Sequence, residues 1–189
     1  MSDEFCDYHA PSLTVERSHP NHWYNRAADL RASAGALWHS MNMDADQKVA
    51  QSLGLGPGYS MGVACWHVYH MLCGLAIEVV LKAVMSQRGI KIPEIHDLNN
   101  LAAMLGIDRT PHERKLLKFY SSAVVWSGRY PIPRKCSDEA LRSFYDEAHA
   151  VLRKPLRQIG SLTLTSSSES TDWEHFHSLW CRFAEEFKF

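Results

Sequence analysis

Glu78 and Lys82 are the first residues whose types and spacing invite chemistry, because they stand one helical turn apart in the otherwise apolar stretch from Met61 to Gln87. Glutamate four residues before lysine is the order a helix favours. The pair is therefore either an ordinary ion pair at the edge of a buried face or a buried one that orients a basic loop or a dimer partner. His67 and His70, near Cys65, offer two imidazoles to a metal, but no third ligand is spaced locally, and packed core histidines fit the same pattern. The segment DWEHFH, Asp172 to His177, has the same ambiguity. A different chemistry is offered by SGRYPIPR, Ser127 to Arg134. Pro131 and Pro133 stiffen that turn, so Arg129 and Arg134 are displayed at low entropic cost while Tyr130 docks on the protein or stacks on a base. The competing reading is a brace, with Arg129 paired to Glu78 or Asp97. No phosphate-binding glycine loop, nucleophile elbow or zinc knuckle is present, since GLGPG has no strand before it and no lysine after it. Neither a metal nor a cofactor is called for.

Charge is distributed unevenly along the 189 residues, although the formal net charge is only -1. Residues 106–160 carry 11 basic and 6 acidic side chains, whereas the segments before and after each carry a net -3. A basic middle segment suits an anionic partner on one surface, and the near-neutral whole argues against a protein that coats nucleic acid in bulk. Five cysteines, an odd number without a CxxC pair, read as reduced thiols in a cytoplasmic protein. No basic-then-apolar signal pattern opens the sequence, and the longest run without a formal charge, Val49 to Ile77, is broken by a glycine–proline cluster and two histidines, so no membrane span is expected.

The elements that must position these residues are helices. Residues 1–20 are polar, contain proline and lack periodicity, which predicts a flexible arm. Apolar residues at three- and four-residue spacing predict a helix over about 23–41, and GLGPGYS separates it from a central helix, Met61 to Gln87. That helix is apolar nearly all round, so it is expected to be buried on several sides and to draw a second copy of the chain into a homodimer. Asp97 is placed to cap a short helix, Leu98 to Leu105, and Thr110, Pro111 and Glu113 form a capping-box start for a helix running to about Trp126. Ser137 caps the next helix, expected from Asp138 to about Gln158 with a kink or shortening at Pro155. SLTLTSSSES then reads as a linker, 161–171, and Thr171 with Glu174 repeats the capping-box spacing before a last helix that packs on the body spanning 21–160. No strand is predicted. The expected class is all-α, an up-and-down bundle of about five to six helices.

Three segments in order, GLAIEVVLKAVMSQRG, IHDLNNLAAML and SGRYPIPR, together resemble the HEPN domain family over about Trp66 to Leu152. Glu78 and Lys82 match its central helix, His96, Asp97 and Leu98 its H-D-L turn, and Arg129, Tyr130 and Pro131 its R-Y-P loop. The resemblance implies a helical bundle, commonly dimeric, that binds nucleotide or RNA, partners a nucleotidyltransferase in toxin–antitoxin pairs, or acts as a metal-independent ribonuclease. It places ligand binding on His96, Asp97, Arg129, Tyr130 and Arg134, supported by Glu78 and Lys82. The ribonuclease members use an arginine and a histidine with four to six residues between them, a spacing met by Arg142 and His149 and by Arg17 and His22. The first pair is the candidate, because the second lies in the proline-bearing arm. Ser143 stands where many active members carry an amide, acid or histidine after the arginine. A protein-interaction module without enzymatic activity is the third reading.

Overall fold

The computed structural model describes residues 12–160 and 162–189; Cys6 and the first eleven residues of the expected arm lie outside them. The described part of the arm is a short helix, α1 (Leu13–Arg17), whose Ser12 side chain accepts from the Val15 amide. Pro20 then opens α2 (Pro20–Ser40), three residues earlier than the apolar spacing predicts, because a proline at the first helical position needs no amide partner. A further helix that the sequence did not announce, α3 (Met43–Ser52), is capped by Asn42 and starts with two acidic residues.

The expected central helix is split at Cys65 into a single turn, α4 (Met61–Ala64), and α5 (Trp66–Gln87). Ala76, Ile77, Val80, Leu81, Val84 and Met85 are fully buried along α5, which packs against α2, α6 (Leu98–Met104), α7 (Pro111–Ser122) and α9 (Trp173–Ala184). Its length and hydropathy would let it cross a membrane, yet most of its apolar window is buried by the rest of the chain. That burial removes the reason for which a second copy was expected. The approach of α7 is close: a Cβ on Gly74 would stand 2.7 Å from Val124 Cγ2 and 2.8 Å from the Tyr120 carbonyl oxygen.

The T-P-x-E signal gives a full capping box at the start of α7, with Thr110 Oγ1 accepting from the Glu113 amide and Glu113 accepting from the Thr110 amide. After Ser122 the helix widens into a π-helical turn, Ala123–Ser127, closed by the Gly128 amide donating to the Ala123 carbonyl at 3.0 Å. Helix α8 (Asp138–Leu152), capped by Ser137, ends six residues short of expectation.

The segment after α8 corrects the all-α reading. Strands β1 (Arg153–Ile159) and β2 (Leu162–Ser167) form an antiparallel hairpin where a helix end and a linker were expected. The physical reason is local: Pro155 cannot supply a helical amide, and leucine alternates with β-branched threonine from Leu162 to Thr165. Register shifts between Pro155 and Arg157, so the proline sits beside an irregularity, a usual place for it in a sheet. The protein is mainly helical with one small two-stranded sheet. The capping box expected at Thr171 and Glu174 does not form. Asp172 occupies the cap position instead, and buried Thr171 turns its carbonyl to the Tyr69 hydroxyl, which donates to it at 3.0 Å. Trp180 Nε1 donates to the Ala76 carbonyl at 3.2 Å, a second tie between α9 and α5.

Candidate functional site

Glu78 and Lys82 project from α5 as a buried pair, Nζ to Oε1 2.7 Å, and are among the few charged side chains in the core. Burying an ion pair costs desolvation energy that is recovered only when the remaining lone pairs are used. His96 uses them, with Nδ1 2.9 Å from Glu78 Oε2 and 3.0 Å from Oε1. A carboxylate only accepts, so Nδ1 carries the hydrogen and Nε2 is left for other partners. The His96 side chain is 54% exposed, so it has a buried anchor and a solvent-facing ring.

Next in the chain, Asp97 caps α6 by accepting from the Asn100 amide at 3.1 Å. Its carboxylate is thereby engaged in structure. The neighbouring Leu98 amide donates to Ser121 Oγ on α7 at 3.0 Å, which fixes the H-D-L turn against the helix that leads to the arginine loop. Between the turn and α7 lies a cleft of about 530 Å³ whose walls include His96, Asn99, Lys118, Ser121, Ser122 and Trp126. Glu94 and Asp97 also reach it, so its charge is mixed. Lys118 is shared with Glu147 of α8, at 2.7 Å across an exposed pair.

A second cavity, about 430 Å³, shares Trp126 with the first and is lined also by His67, Arg129, Tyr130, Pro131, Phe144 and Tyr145. The H-D-L turn and the R-Y-P loop thus line separate cavities with Trp126 as the common wall. Trp126 packs edge-on against Phe144 of α8, ring centroids 4.5 Å apart. The loop hangs from the π-helical turn, where the Arg129 and Tyr130 amides both donate to the Trp126 carbonyl, and Gly128 packs so closely on Met71 that no side chain fits there. Arg129 is exposed and donates from Nη2 to the Val125 carbonyl at 2.5 Å, with its guanidinium 5.5 Å from the Tyr130 ring centroid. It pairs with neither Glu78 nor Asp97, so the proposed brace is absent. Arg134 is also exposed and lines neither cavity.

Arg142 and His149 are both exposed on α8, two turns apart. Among the described residues neither makes a side-chain hydrogen bond or ion pair, and neither lines the two cavities at Trp126. The two histidines of α5 have separate fates. His67 is exposed at the arginine-side cavity, whereas His70 is enclosed edge-on by Trp66 and Phe119. Burial, with a smaller contribution from the charge of His67, lowers the His70 pKa to about 3, so its ring is neutral near pH 7. Among the described residues no three His, Cys, Asp or Glu side chains converge as a metal site.

Lys118, Ser121, Asn99 and Trp126 are the site residues that sequence reasoning missed. Asn99, Lys118 and Ser121 belong to α6 and α7, which read as packing helices, and only Trp126, in the π-helical turn at the mouth of SGRYPIPR, carried a local signal. No protein-family model, curated protein or solved structure matches the chain.

Proposed function

We propose that this protein is a HEPN-like helical bundle that binds a nucleotide or an RNA end across Trp126. The reading is supported most by one observation: a single half-buried tryptophan, Trp126, lines both a cleft bearing His96 and Lys118 and a cavity bearing Arg129 and Tyr130. An indole between cationic groups suits a stacked base whose phosphate is met by lysine, histidine or arginine. Mixed charge in the cleft favours a ligand with one or two phosphates over a long polyanion. In this proposal the chain works in the cytoplasm as a homodimer beside a nucleotidyltransferase partner, in a toxin–antitoxin or related defence setting, as the sequence resemblance implies.

The test is calorimetric titration of the protein with nucleoside monophosphates and with a short single-stranded RNA, in EDTA, against Lys118→Ala. Saturable binding that weakens about tenfold in the variant is expected, the worth of one charge-assisted contact. No binding of either probe ends the reading. RNA cleavage that persists in EDTA and disappears in both Arg142→Ala and His149→Ala would replace it with the ribonuclease.

A further inference from the structure

A third cavity, about 400 Å³, lies where the α1–α2 joint meets α5, and its walls include Arg17, His22, Trp23, Arg26 and Val79. It shares no lining residue with the two cavities at Trp126. Arg17 ends α1, and His22 and Arg26 stand four apart on the first turns of α2, which puts both on one helix face. The joint between the helices is fixed. Pro20 sets the first turn, His19 Nδ1 accepts from the Asn21 amide at 3.3 Å, and Ser86 Oγ of α5 donates to the Ser18 carbonyl at 3.4 Å. Trp23 packs against the core and Val79 of α5 lines the same cavity, so the cationic groups stand over apolar surface.

The two guanidiniums in this cavity, Arg17 and Arg26, are of one sign and repel each other unless an anion joins them, and the His22 imidazole adds a further hydrogen-bonding group beside them. Asp29 is the one carboxylate on the wall, and among the described residues it forms no ion pair with Arg17, His22 or Arg26. Among the described residues, none of these three side chains makes a hydrogen bond or an ion pair, so their donors face the cavity without a protein partner. Two guanidiniums and an imidazole with unused donors present the planar, forked geometry that matches phosphate oxygens. We propose that this cavity is a second anion site, built to hold a phosphate group through Arg17, His22 and Arg26. The phosphate belongs either to a small phosphorylated molecule or to an RNA backbone.

The test follows the Trp23 indole and His22 imidazole signals by NMR while the full chain is titrated with inorganic phosphate. Saturable shifts confined to these residues are expected, with affinity reduced about tenfold or more in Arg17→Ala/Arg26→Ala. Both arginines are exposed, so the variant should keep its circular dichroism and melting temperature; if it does not, Arg26→Gln alone serves the same purpose. Absence of saturable shifts, or equal affinity in a folded variant, overturns the proposal. Adding a single-stranded oligoribonucleotide then assigns the source. Displacement of phosphate supports the RNA backbone, and phosphate binding without displacement supports the small molecule. Because the readout sits at Trp23, failure at Trp126 leaves this outcome unaffected.

Discussion

On the His96 side of Trp126 one buried carboxylate, Glu78, holds both Lys82 and the imidazole, whereas on the Arg129 side an exposed guanidinium donates only to a carbonyl of its own turn. The first arrangement is rigid because breaking any contact strands a charge in the core. The second is displayed, because Arg129 gives up little when it leaves Val125 for a ligand. Under the proposed reading, the anchored wall is the one expected to position a base and the adaptable wall the one expected to meet its phosphate. The difference also separates the residues expected to carry stability from those proposed to carry binding.

The largest break in that comparison is expected from Lys82→Ala. It leaves Glu78 buried with His96 as its remaining partner, and should lower stability by about 3 kcal/mol, read from the urea midpoint. An unchanged midpoint would mean that the anchored wall is no anchor. Acid should act next, through His70. Its folded pKa, lowered to about 3, lies below the ordinary histidine value, so the unfolded chain takes up the proton first and stability falls as pH drops below that ordinary value. The expected slope is about 1.4 kcal/mol per pH unit from roughly pH 6 to pH 4, and it should vanish in His70→Leu. The smallest effect on stability belongs to Arg129→Gln, whose melting temperature should stay near that of the wild type while nucleotide or RNA binding weakens by about 1.5 to 3 kcal/mol. Loss of several degrees instead would turn the adaptable wall into a structural one.

Helix starts were legible where the signal is local. Thr110 and Glu113 satisfy each other within one turn, and Asp97 and Ser137 each accept from an amide three residues on, so the caps form as the sequence predicts. The same reasoning failed at Thr171, where the helix begins one residue later, with Asp172 at the cap position, and Thr171 is buried with its carbonyl accepting from the Tyr69 hydroxyl 102 residues away. The hairpin had a signal too, in the alternation of Leu162 to Thr165. Helical periodicity in α8 and the reading of Pro155 as a kink carried the expected helix past it.

By itself, the sequence determined that α5 would be the core, that Glu78 and Lys82 would meet across one turn, and that SGRYPIPR would present arginine on a stiff turn. Each of these is written in the residue types and spacing of one short segment. Only the tertiary structure decided that His96 would complete the Glu78 pair, that Trp126 would divide two cavities, and that Arg17, His22 and Arg26 would share a third. Those relations depend on how α2, α6 and α7 settle against α5, and helix packing is set by the shape of whole faces rather than by any short run of residues.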